Sequence, residues 1–83
     1  MYHVYILRCC DDTLYTGITT DLVRRVAEHN TSPVGAKYTR ARRPVTLVYS
    51  RRFRTRSNAL REEARVKRLS RAEKLSLIQG DPR

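Results

Sequence analysis

Five side chains of this sequence, Tyr5, Tyr15, Arg25, His29 and Glu63, are of types that handle protons, phosphates or divalent cations. Arg25 and His29 are four residues apart, a spacing that sets two side chains along one edge of a helix. A fixed guanidinium can meet the charge that grows on phosphate oxygens in a transition state. The alternative is one more solvated cation among fifteen arginines. His29 is either a surface or capping histidine or a group that handles a proton. Glu63, at about 100° per residue, falls inside a stripe formed by Ala59, Leu60 and Val66. A carboxylate facing a core or cleft is costly unless it is paired or holds a metal. The competing arrangement is an i, i+4 ion pair with Lys67, worth about 0.3–0.5 kcal/mol if exposed. Tyr5 and Tyr15 are packing residues with wet hydroxyls in an ordinary sheet; they can act together only if they share a face.

The charge balance says what such a set would work on. Eighteen Lys and Arg against eight Asp and Glu leave a formal charge of +10. Most of the cations are arginines, whose planar fork fits phosphate oxygens better than an ammonium does. The basic runs Arg40-Ala41-Arg42-Arg43, Arg51-Arg52-Phe53-Arg54-Thr55-Arg56 and Arg65-x-Lys67-Arg68 would form an electrostatic surface. That points to a polyanionic partner, above all nucleic acid. Contacts of this kind give affinity and little sequence information. Eighty-three residues, 40% of them apolar, make one domain over residues 1–83 with a thin core. A chain of this size hides about 60–65% of its unfolded surface. Cys9 and Cys10 are adjacent, so a bridge between them would be strained, and they do not have the spacing of a zinc site. They read as reduced residues in a reducing compartment. The start Met1-Tyr2-His3-Val4-Tyr5 lacks the pattern of a secretory signal, and no stretch approaches the ~20 apolar residues of a membrane span. The expectation is a cytoplasmic protein without a membrane partner.

Positioning these residues requires a mixed architecture. His3 to Cys9 is an apolar, β-rich run, and Thr13 to Ile18 reads as its hairpin partner across Asp11-Asp12. A three-residue loop, Cys10 to Asp12, sets Tyr5 opposite Gly17 and Leu7 opposite Tyr15, with both phenols on one face. A two-residue loop separates them. Asp21 caps a helix to about Asn30, ended by Thr31-Ser32-Pro33, with Leu22, Val23, Val26 and Ala27 as its apolar stripe. Val34 to Pro44 looks like a basic loop. Val45 to Tyr49 is a third strand, continuing into Arg51 to Arg54. Ser57 or Asn58 opens a long helix to about Leu69. Ser70-x-x-Glu73 has capping-box spacing and starts a last helix ending at Gly80, with Pro82 beyond. The order is β-β-α-β-α-α.

These elements and motifs together resemble a known family. Val4-Tyr5 and Tyr15-Thr16-Gly17 stand where the GIY-YIG nuclease superfamily has its two name-giving motifs. Arg25-x-x-x-His29 resembles its Arg-x-x-x-His signature, and Ala59-Leu60-x-x-Glu63 the segment that supplies its metal-binding carboxylate. The resemblance runs from Tyr2 to about Ile78. It is closest to small stand-alone bacterial members, which carry the Gly-Ala-Lys-Tyr-Thr-Arg stretch found at Gly35 to Arg40. One departure is His3, where the family's first motif begins with glycine. The resemblance implies an α/β (α+β) domain with a small, mainly antiparallel three-stranded sheet flanked by helices, like the N-terminal domain of the repair nuclease UvrC. It implies metal-dependent, endonuclease-type hydrolysis of phosphodiesters, on structured or single-stranded DNA in repair or recombination. Glu63 would ligate one Mg²⁺ or Mn²⁺, held weakly without substrate. Tyr5 would be the general base or water-orienting group, with Tyr15 in support. Arg25 would bind the scissile phosphate, and His29 would handle a proton or touch phosphate. Lys37, Tyr38 and Thr39, with Arg40, Arg42, Arg43 and Lys67, are expected at substrate phosphates. Gly17 would let the substrate backbone approach or tolerate a bend in the strand. Specificity would come from a protein partner. The alternatives are a non-catalytic nucleic-acid-binding module and an RNA- or ribosome-associated basic protein.

Overall fold

The central strand is the most apolar run of the chain because both of its faces are covered. In the computed structural model, which describes residues 1–31 and 35–80, β1 (Tyr2–Arg8) carries Val4, Tyr5, Ile6 and Leu7, each at most 1% exposed. Burial on both sides removes the alternation that a half-exposed strand would show. β2 (Leu14–Thr19) and β3 (Thr46–Phe53) flank it, both antiparallel, in the order β2-β1-β3.

The β1–β2 loop is the three-residue one. Cys9 N–H donates to Thr13 O at 2.8 Å and Asp12 N–H to Cys9 O at 2.9 Å. Asp12 takes a left-handed conformation with φ of 71°, which aspartate tolerates better than most residues. Asp11 ties the turn by accepting from the Thr13 backbone and hydroxyl at 3.2 and 2.6 Å. The resulting register pairs Tyr5 with Gly17 and Leu7 with Tyr15. Both tyrosines therefore sit on one face. Both cysteines are free, Cys9 buried and Cys10 exposed.

That face is covered by α1 (Leu22–Thr31), capped by Asp21, which accepts from Arg24 N–H at 3.1 Å. The stripe differs from the expected one. Val23 is 83% exposed and Ala27 is exposed, while Leu22 and Val26 pack on the Tyr5, Leu7, Cys9 and Val45 cluster and His29 is fully buried. The helix is turned by about one residue, because His29 finds hydrogen-bond partners inside and so can take the innermost position. Ser32, Pro33, Val34 and Pro82, each part of an expected boundary, lie outside the described residues.

Two side chains join the end of α1 to the chain beyond it. Asn30 accepts from Val45 N–H at 2.7 Å and donates to Val45 O at 3.0 Å, a two-point pairing like that of a neighbouring strand. Arg43 donates to the backbone oxygens of His29 and Glu28 at 2.6 and 3.3 Å. The segment expected to be a loop contains a single helical turn, α2 (Lys37–Arg40). It closes on Ala36 O, which accepts from the N–H groups of Thr39 and Arg40, both at 3.1 Å.

On the other face lies α3 (Arg56–Arg68), which packs across β1 and β2. Its N-cap is Thr55, accepting from Asn58 N–H at 3.2 Å, rather than Ser57 or Asn58. Its buried residues are Ala59, Glu62 and Val66, with Leu60 39% exposed and Glu63 half-buried. The expected stripe is again displaced, because Glu62 is neutralised where it is buried. The Arg65 fork holds it at 2.9 and 2.7 Å, and Arg51 lies 3.7 Å away. α4 (Arg71–Ile78) opens with the capping box of Ser70 and Glu73 and is followed by Gly80 at φ 68°.

Candidate active site

The Tyr5 hydroxyl is the hub of the site face. It lies 2.8 Å from His29 Nε2, and His29 Nδ1 lies 2.8 Å from Thr39 Oγ1. Thr39 in turn donates to Ala36 O at 2.9 Å. The Arg25 guanidinium is near enough to the Tyr5 phenol for each to shift the protonation of the other. Arg25 is steadied by Glu28, whose two oxygens accept from Arg25 at 3.0 Å and Arg24 at 3.1 Å. Tyr15 closes the cluster. Its ring centroid is 6.5 Å from Tyr5, edge-on to His29 at 5.2 Å and stacked on Tyr38 at 5.9 Å. The Arg42 guanidinium covers the Tyr38 ring at 4.1 Å and pairs with Asp11 at 3.1 Å, fastening α2 to the hairpin turn.

Burial sets the protonation states. It pushes the Tyr5 phenol up to about 12; the Arg25 hydrogen bond pulls the other way, and the charges of Tyr15 and Glu63 add to the rise. Burial also brings His29 down to about 4, helped by the Arg25 and Arg43 charges and opposed by Glu28. At neutral pH the phenol keeps its proton and the imidazole is neutral. The Arg65 fork holds Glu62 below the usual carboxylate range, with Arg65 and Arg51 charges in the same direction and burial opposing.

The sequence-derived residues meet this geometry unevenly. Tyr5, Tyr15, Arg25 and His29 are brought into one cluster, whereas Glu63 sits on α3, paired with Lys67, and its charge is the least of the influences on the Tyr5 phenol. Tyr5 is only 1% exposed, however, so it does not meet water directly; the half-buried Tyr15 is the phenol at the surface. His29 is fully buried, which removes the phosphate-contacting alternative. Gly17 is buried under the Tyr5 ring. A Cβ there would run into the hydroxyl and come within 2.6 Å of Cζ, so the glycine makes room for Tyr5 rather than for substrate. Thr39, expected at a phosphate, is fully enclosed. Arg43 holds the end of α1, and Tyr38, 40% exposed, is stacked on Tyr15 with the Arg42 guanidinium over its ring. Lys37 and Arg40 are exposed.

Glu63 has Lys67 at 3.3 Å and a side chain 17% exposed. Among the described residues no three His, Cys, Asp or Glu side chains gather into a metal cluster. A single carboxylate, once released from Lys67, suits a hard cation that keeps most of its waters and borrows phosphate oxygens, as Mg²⁺ does. It does not suit a zinc cage. Thr39 and Glu62 are the residues that sequence reasoning missed in these roles. Each depends on partners from another segment or on the rotation of its helix, which spacing alone does not fix.

Comparison with known proteins gives a consistent picture. A family model described as the GIY-YIG catalytic domain matches residues 1–76. The chain is 57% identical over 78 residues to UPF0213 protein VNG_2274C of Halobacterium salinarum, covering 94% of this chain and 100% of that one. Among solved structures, UPF0213 protein BH0048 of Bacillus halodurans superposes with a TM-score of 0.63 at 46% identity, over 98% of this chain and 86% of that one. Protein EF2693 of E. faecalis superposes with a TM-score of 0.65 at 43% identity, over 95% and 83%.

Proposed function

The chain belongs to the GIY-YIG catalytic-domain family, and from that premise we propose that it is a metal-dependent endonuclease acting on structured or single-stranded DNA, in repair or recombination. The observation that carries this reading is the meeting of Tyr5, Tyr15, Arg25 and His29 from a hairpin and a helix. A thin scaffold that only bound nucleic acid would have no use for a buried phenol–imidazole pair beside a guanidinium.

Each residue then has a role set by its exposure. Arg25, its side chain 26% exposed, reaches non-bridging phosphate oxygens while Tyr5 and Glu28 fix its direction. Tyr15 presents its phenol at the surface and orients the attacking water. Tyr5 stays protonated behind it and holds the guanidinium. Glu63 would hold Mg²⁺ or Mn²⁺, which when bound polarises the phosphate and acidifies a coordinated water. Lys67 covers that carboxylate and turns to a substrate phosphate when released. Lys37 and Arg40 track the backbone, as do Arg52, Arg54, Arg56 and Arg68, none of which has a carboxylate partner among the described residues.

The test is a cleavage assay with Mg²⁺ or Mn²⁺ over branched, flapped and single-stranded DNA and matched RNA. Glu63→Gln and Arg25→Ala should each lower the rate on the order of 10²-fold or more while the fold persists. Full activity in both variants would sink the assignment. A second reading rests on the Lys67–Glu63 contact, which fills the cation position with a side chain: a non-catalytic binding module, working with DNA or RNA through a protein partner. It requires binding that weakens by roughly 0.9 log units per phosphate per log unit of salt, with no metal-dependent turnover.

A further inference from the structure

The hydrogen bonds that run inward from Tyr5 have a fixed direction, and the direction is set at the far end. Thr39 has one hydroxyl proton. Its oxygen lies 2.9 Å from Ala36 O, a separation at which two oxygens need a hydrogen between them. The threonine proton therefore points to Ala36, and Thr39 Oγ1 must accept from His29 Nδ1 at 2.8 Å. Nδ1 carries the hydrogen, Nε2 is bare, and Tyr5 donates to it at 2.8 Å.

We propose that Thr39 is a positioning residue: by fixing the His29 tautomer it draws the Tyr5 proton inward and turns the Tyr5 lone pairs outward, toward the Arg25 side of the site. Loss of the threonine hydroxyl frees Nδ1 of its acceptor. The imidazole can then carry its proton on Nε2 and compete with Arg25 for the same oxygen. Thr39 is fully buried and joins α1 to a turn that contains none of the other four residues of the cluster.

The rate arm of the test rests on the nuclease reading; the spectroscopic arm does not. Nitrogen-15 spectra of the His29 ring at neutral pH, without nucleic acid, should show a protonated Nδ1 and a bare Nε2 in the wild-type protein. Thr39→Ser should keep that pattern, and the near-isosteric Thr39→Val should lose it, with backbone amide spectra establishing that both are folded. On the DNA that the wild type cuts, the valine variant should be slower by about tenfold or more, with the serine variant near the wild-type rate. A wild-type ring protonated on Nε2, or a valine variant that keeps the Nδ1–H form, overturns the proposal. So does a serine variant that fails to rescue. A wild type that cuts nothing overturns the nuclease reading alone, and the tautomer still decides the Thr39 assignment.

Discussion

A single methyl group at Gly17 would occupy the space of the Tyr5 hydroxyl, because the two residues are cross-strand partners and the phenol lies over the glycine. Gly17→Ala must move a ring that is 1% exposed and hydrogen-bonded to His29. The expected cost is about 1–3 kcal/mol of stability, the usual penalty of overpacking, together with loss of any cleavage activity. Urea unfolding and the His29 ring spectrum measure the two effects separately. At this scale the placement of the two tyrosines was readable once the loop length is known, since a strand alternates its side chains and the loop length decides the phase, but the role of Gly17 in making room for Tyr5 was not. Thr39 was not, because a threonine beside lysine and tyrosine looks like a solvated loop residue until α1 is laid against it. Burial of His29 was hidden for the same reason: a polar residue goes inside only where other segments supply its partners.

The starts of α1 and α4, at Asp21 and Ser70, were legible, since capping is local chemistry, while that of α3 lies at Thr55 instead of Ser57 or Asn58. Ser70 and Glu73 form the reciprocal pair that their spacing implies, at 3.2 and 2.8 Å. Ser70→Ala should cost about 1 kcal/mol, seen as a lowered unfolding midpoint, with the Tyr5–His29 resonances unmoved. Gly35→Ala should do the reverse of that selective effect. A Cβ there would lie 2.6 Å from Glu28 O and 3.0 Å from His29 Cα, so the chain leading to α2 is pushed off α1 and Thr39 is carried away from His29. Stability, the His29 tautomer and cleavage should all suffer together. Helix rotation was less legible than helix position. Val23 and Ala27 on α1, and Leu60 on α3, are apolar yet lie outside, while His29 and Glu62 lie inside. Hydropathy gives the wrong phase wherever hydrogen bonds or an arginine fork make a polar residue the better-buried one.

For the molecule as a whole, acid sensitivity comes from the same burial. His29 titrates near 4 in the folded chain against 6.5 when free, so between those values the unfolded chain binds the proton that the folded chain refuses. Stability is therefore fullest above pH 6.5 and falls as the pH drops toward 4, at a rate approaching roughly 1.4 kcal/mol per pH unit. Glu28 and Glu62, held below their ordinary range by arginines, take over in the same direction at lower pH. Thermal midpoints at pH 7, 6 and 5 should fall for the wild type and change less for His29→Gln; parallel curves would contradict the assignment. The charge of +10 was plain in the composition, but its distribution was not. Arg42, Arg43, Arg51, Arg65 and Lys67 are engaged within the molecule, and this thins the surface that the basic runs seemed to offer. Finally, the Asn30 clasp on Val45 needs a side chain that donates on one side and accepts on the other. Hydrolysis of that amide to the acid, a familiar lesion of stored protein, would keep the shape and reverse the sense of one contact, setting oxygen against oxygen. The shelf life of this small domain thus hangs on a residue outside its signature motifs, and a gain of one mass unit at Asn30 would mark the copies in which α1 and the residue leading into β3 have come unfastened.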